Sequence, residues 1–132
     1  MNFTDGKSKL TIKLIEWDGD AYISTKIDSR GFSGQTEAHI ISQDFKAFCK
    51  SLLELQLSLK GEVSLNSVSP NEIEIKIKPN DNLGHMSVSG SIGQHIFTSN
   101  ESNWHSVQFG FEIEPQQLDK AIKVEWVNEY GT

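Results

Sequence analysis

Apolar and polar residues recur along this chain with two different periods, and the switch between them marks its plan. From Ser42 to Gly61 the apolar residues Phe45, Phe48, Leu52, Leu55 and Leu59 fall three and four apart, which lines them on one face of an α-helix. Leu53 and Leu57 widen that stripe beyond a coiled-coil seam, so the face suits a sheet. Ser42 is a good N-cap, Asp44 complements the positive end of the helix dipole, and Gly61 is the expected stop. The predicted helix is Gln43–Lys60.

On either side the period is two. Lys9–Trp17 sets Leu10, Ile12 and Leu14 against Thr11 and Lys13, the mark of a half-buried strand. Asp18-Gly19 reads as a hairpin turn and Asp20–Ile27 as the return strand. A third strand, Phe32–Ile41, shares Phe32, Gly34, Thr36, Ala38 and Ile40 on one face, with Gly34 signalling a bulge or a close backbone approach. Beyond the helix come Glu62–Leu65, Asn71–Lys78, His85–Ile92 and Val107–Ile113, separated by a turn at Pro79–Gly84 and a polar loop at Ser99–Asn103. Pro115 opens a short helix near Gln116–Ile122, and the tail Lys123–Tyr130 fits helix or strand. The pattern predicts one α+β domain over residues 1–132. It is a curved, mostly antiparallel sheet of about seven strands, with one long amphipathic helix packed on a face and a short C-terminal helix.

Charge narrows the functions this surface can serve. Lys and Arg number 12 against 18 Asp and Glu, a net charge of −6. A nucleic-acid surface needs clustered cations to displace phosphate counterions, and that balance argues against one. An acidic surface instead steers and holds a basic protein partner. No apolar run approaches the roughly 20 residues of a membrane helix, and the opening MNFTDGKSKLTIK carries no apolar signal segment. Cys49 is the sole cysteine, so an internal disulfide is impossible and a reducing, cytoplasmic compartment is the simplest fit.

The residue types that carry chemistry do not assemble into a motif. His39, His85, His95 and His105 lack the spacing of a zinc site, although the ten-residue steps from His85 to His105 could set three of them on neighbouring strands. Asp18-Gly19-Asp20 and Asn80–Gly84 lack the Gly and Glu positions of an EF-hand and read as turns. Gly31-Phe32-Ser33-Gly34 is not a nucleophile elbow, because it leads into a strand. Cys49, beside the apolar helix face, reads as an inert thiol. No metal, cofactor or catalytic residue is therefore predicted. An enzyme would require His85, His95 or His105 to converge with an acid within about 3 Å.

Aromatic and acidic residues offer a different candidate. Trp17 ends the first strand, Trp104 opens the last, and Trp126 and Tyr130 lie in the tail. From Glu112 onward the chain carries Glu112, Glu114, Asp119, Glu125 and Glu129 against Lys120 and Lys123. Trp104, Glu112, Glu114, Asp119, Glu125, Trp126, Glu129 and Tyr130 are the candidate partner-binding residues. The alternative is a core edge with a solvated charged face.

The order of the pieces carries a family likeness. It runs from the hairpin LTIKLIEWDGDAYISTKI through a third strand to a helix opened by Asp44, Phe45 and Phe48. The join Leu59–Leu65, the strand HMSVSGSIG, Phe109 and Phe111, then Gln117 and Leu118 complete it. This order resembles small bacterial immunity proteins of the WapI-like kind, and the likeness spans nearly the whole chain. It implies a non-enzymatic cytoplasmic antitoxin without cofactor. Such a protein binds the C-terminal domain of a polymorphic or contact-dependent toxin, often a nuclease, and blocks it. The other reading is a small-molecule-binding or interaction module, marked by an apolar cavity under Phe45 and Phe48. An unpaired edge strand could also make a homodimer.

Overall fold

A computed structural model describes residues 1–81 and 84–132, so Asn82 and Leu83 of the expected Pro79–Gly84 turn lie outside the described residues. The elements run β1 (Asn2–Thr4), β2 (Ser8–Asp18), β3 (Asp20–Ser29), β4 (Phe32–Ile40), α1 (Ser42–Ser58) and β5 (Val63–Asn66). They continue with β6 (Ile73–Pro79), β7 (Met86–Phe97), β8 (Ser102–Ile113), α2 (Gln116–Ala121) and α3 (Glu125–Gly131). The class is the expected α+β, but the expected single sheet is two four-stranded antiparallel sheets, β1-β2-β3-β4 and β5-β6-β7-β8. The long helix divides them. It carries the chain away from the β4 edge, so β5 opens a new ladder with β6, under α1, in place of extending the first.

The two sheets close on each other where β4 meets β7 and β8. Thr36 Oγ1 donates to the Gly93 carbonyl oxygen at 3.1 Å, a buried bond from one sheet to the other. Gly34 marks a close approach and no bulge: a β-carbon there would stand 3.0 Å from Val107 Cγ2, and the β3–β4 register is unbroken. The inward residues of the strands (Leu10, Ile12, Ile23, Ile27, Ile73, Ile75 and Ile77 among them) form one apolar cluster with Phe45, Phe48, Cys49, Leu52 and Leu55 of α1. Phe32 belongs to the same alternation yet is 72% exposed. It pairs with Ser29 beside the hairpin turn, and the inner face is fully buried only from Thr36 onward.

Irregularities decide what the aromatic residues do. The β2–β3 register slips between Leu14 and Glu16, leaving Ile15 as the extra residue. That bulge reverses the alternation and turns Trp17 inward, where its ring stacks 4.3 Å from Tyr130 and lies 6.0 Å from Phe45. The α1 stripe is also narrower than expected, since Leu57 is 83% exposed. At 100° per residue it points about 160° away from Leu55.

Both ends of α1 differ from the prediction. Ser42 is its first residue, not its cap, and the Ser42 N–H donates to Asp20 Oδ1 at 2.9 Å. A carboxylate from the hairpin thus caps the helix from outside and complements its dipole. The stop falls at Leu59, which takes the left-handed conformation at φ 54° while its N–H bonds Leu55 at 2.8 Å.

Three elements left weak traces in the pattern. β1 is three residues long, too short for alternation, although Phe3 is fully buried. β7 and β8 run past the expected Ile92 and Val107 to a turn closed by Thr98 N–H on the Glu101 carbonyl. In that overhang both faces are largely open, so no apolar stripe forms. The ambiguous tail is a short helix, α3, lying against α1.

Candidate functional site

The eight residues singled out from the sequence do not form one face. Trp104 opens β8, 46% exposed, whereas Glu112 and Glu114 stand at or just past its far end. Eight residues at about 3.4 Å per residue separate Trp104 from Glu112 by roughly 27 Å. Glu112 accepts from the Asn80 side-chain amide, and Asp119 on α2 accepts from Gln56 Nε2 at 2.9 Å. Glu125 and Glu129 are exposed on α3. Trp126 and Tyr130, on the same helix, are half-buried. The Trp126 ring lies 5.3 Å from Phe45 and 6.5 Å from Phe48, and Tyr130 stacks on Trp17. These rings fill the space over Phe45 and Phe48 where a ligand cavity was the alternative.

The histidines part company. His95 pairs with Trp104 and His105 with Gln94. Their side chains therefore leave opposite faces of the β7–β8 ladder. Among the described residues His85 alone of the histidines meets an acid, with Nδ1 at 2.7 Å from Asp81 and Nε2 at 3.4 Å from Glu114. The hydrogen bond His85 donates to Asp81, the charge of Asp81 and that of Glu114 raise the His85 pKa. Both ring nitrogens face carboxylates, an arrangement that stabilises imidazolium and leaves neither nitrogen open as a base. Among the described residues, no group of three or more His, Cys, Asp or Glu is placed to hold a metal ion. Cys49 is buried, its sulfur 4.0 Å from the Trp126 carbonyl oxygen, and burial pushes the thiol pKa up to about 12.

A different constellation lies where the sheets meet. Tyr22 of β3 and His39 of β4 are cross-strand partners whose rings stack at 4.6 Å. The Tyr22 hydroxyl donates to Glu37 Oε2 at 2.8 Å. Glu72, just before β6, is near enough for its charge to add to that of Glu37 in raising the Tyr22 pKa, an effect led by the hydrogen bond. On the facing strand His95 sits between Phe97, at 4.1 Å, and Trp104, stacked at 4.9 Å. Phe97 is 77% exposed, and His95 Nε2 is buried with no hydrogen-bond partner among the described residues.

Tyr22, Glu37, Glu72, His95 and Phe97 border an open groove of about 720 Å³. A second hollow of about 420 Å³, reaching Asp20 and His39, shares Tyr22, Glu37 and Glu72 with it. Among the described residues no lysine or arginine lines either one. The groove offers carboxylate acceptors and aromatic faces, and its floor is pinned by the Thr36–Gly93 bond.

Sequence reasoning missed this site for a definite reason. Alternation alone puts Tyr22 of β3 and Glu37 and His39 of β4 on the outer face of the first sheet. Their meeting with Glu72, His95 and Phe97 depends on how two sheets pack, which no local period encodes.

No curated protein and no solved structure matches the chain. One family model does, over residues 3–126 of 132, and it is that of the Immunity protein WapI-like family.

Proposed function

We propose, from the premise that the chain belongs to the WapI-like immunity protein family, that it is a non-enzymatic immunity protein that binds a cognate bacterial toxin domain and occludes it. The observation that carries this reading is the family match itself, which spans nearly the whole chain. The net charge of −6 favours a basic toxin domain, a nuclease being the class that acidity fits best. Inhibition by steric cover needs no turnover, and His85, held between two carboxylates, and the buried Cys49 suit structural roles better than catalysis. The compartment that follows from this function is the cytoplasm of the toxin producer. No helix among the described residues is long and apolar enough to cross a membrane.

The test is co-expression with the toxin domain encoded directly upstream. A tight one-to-one complex, weakened by salt and abolishing the toxin's activity, is the expected result. Free toxin activity in the presence of excess protein would defeat the reading. Sizing the protein alone at rising concentration also tests for a homodimer paired through the β8 edge.

A further inference from the structure

We propose that the groove between β4 and the β7–β8 overhang is the surface that grips the protein partner, and that it receives a basic segment with an arginine seated over Tyr22, between Glu37 and Glu72. The proposal deepens the immunity reading and rests on it for the partner's identity.

The chemistry points to a guanidinium. Glu37 and Glu72 have no basic partner among the described residues, whereas Glu62 pairs with Lys76 at 2.8 Å and Asp5 with Arg30 at 3.6 Å. Of the sequence-predicted acids, Glu114 meets the basic His85, whereas Glu112 and Asp119 accept from the neutral Asn80 and Gln56, as Glu37 does from Tyr22. The groove thus holds carboxylates whose charge is uncompensated. They flank the stacked Tyr22 and His39 rings, a platform for a planar cation. A guanidinium there would donate to both carboxylates at once, a geometry that an ammonium matches less well.

The overhang supplies the rest of the grip. Phe97, which lines the groove, and Trp104, stacked on His95, are large rings left open to solvent on β7 and β8. An exposed aromatic beside a concave acidic wall is how a partner's flanking apolar side chain is anchored. His95 Nε2, without a hydrogen-bond partner among the described residues, is a polar atom that a docked backbone group could satisfy. Nucleic acid is a poor occupant, because its phosphates would meet Glu37 and Glu72.

Two measurements on the full chain test this independently. The 15N-labelled protein is first titrated at low salt with an acetylated, amidated peptide of alternating glycine and arginine. Saturable shifts centred on Tyr22, Glu37, Glu72 and His95 are expected. The E37Q/E72Q double variant, checked for an unchanged melt, should bind at least about tenfold more weakly. A glycine–glutamate peptide should leave the spectrum unmoved. Shifts centred on Glu125 and Glu129, or equal binding by the double variant, would overturn the groove.

The same variants are then measured against the upstream-encoded toxin domain. If wild type binds and E37Q/E72Q binds equally well, the groove is wrong and the immunity reading stands. If wild type fails to bind the toxin while the peptide result holds, the immunity reading falls and the basic-segment site remains.

Discussion

Cys49 allows a quantitative test of how tightly α1 and α3 seal the core. The thiol is fully buried, with a pKa raised from 9.0 to about 12 by burial. In the unfolded chain it titrates at its ordinary value. Above pH 9 the unfolded state therefore releases a proton that the folded state keeps, and stability falls as pH rises through that window, by about 1.4 kcal/mol per unit. At pH 11 the loss from this group alone is about 3 kcal/mol, and below pH 9 it is absent.

Lysines and tyrosines titrate nearby, so the comparison is with Cys49→Ala, which loses packing worth roughly 1 kcal/mol at every pH but has no thiol to ionise. Urea midpoints followed by tryptophan fluorescence should show wild type the more stable at pH 8 and the variant the more stable at pH 11. A gap that stays constant over that range would refute the burial argument. Native reactivity gives a second readout. At pH 8 the thiolate fraction is about 10⁻⁴ folded against about 10⁻¹ unfolded, so a disulfide reagent should label the native protein about a thousandfold more slowly. Rapid stoichiometric labelling without denaturant would show an open thiol.

Core and surface positions give three further expectations. Leu52→Ala removes a fully buried side chain from α1 and should cost about 2–5 kcal/mol, seen in a thermal melt; no loss would remove Leu52 from the core. Trp126→Ala should cost about 2–4 kcal/mol through its contacts with Phe45 and Phe48. Trp104→Ala, on the open overhang, should stay within about 0.5 kcal/mol, and equal melts for the two would erase the distinction between core and surface tryptophans. His85 titrates with a pKa raised chiefly by its hydrogen bond to Asp81. Its stabilising effect is therefore complete below pH 6.5 and lost as pH rises through the folded value. His85→Gln should lower the melting temperature at pH 5.5 and not at pH 8.5, and a pH-independent difference would contradict the ion-pair geometry.

Whether an element could be read from the sequence tracked how one-sided its burial is. α1 and the strands carrying Leu10 and Ile12 or Ile73, Ile75 and Ile77 bury one face and leave the other wet, so their periods are clean. Alternation failed at the overhang of β7 and β8, where open faces impose no pattern, and at β1, where three residues are too few. It misplaced Phe32 and Leu57 because a stripe says which way residues point and not how far the opposing layer extends. The division into two sheets was hidden because each strand's pattern is the same whether its neighbour sheet is continuous or folded over. The Asp20 cap on Ser42 joins residues 22 apart, beyond the reach of the local capping rules that picked Ser42.

The same distinction bears on where function sits. A tail tryptophan and tyrosine looked like interface residues by type, yet the bulge at Ile15 and the turn into α3 bring them into a cluster with Trp17 and Phe45. Residue type alone does not separate an anchor for a partner from an anchor for the fold. Internal partners do. Trp126 and Tyr130 stack on neighbouring rings, and Glu112, Glu114 and Asp119 meet internal donors. Phe97 exposes an apolar ring and His95 Nε2 is buried without a hydrogen-bond partner among the described residues, while beside them Glu37, which accepts from Tyr22, and Glu72 have no ion-pair partner among those residues. Such departures concentrate where a protein's surface is shaped for something other than itself. Here they converge on one groove, so the partner's complement should be sought in a cation flanked by an apolar side chain.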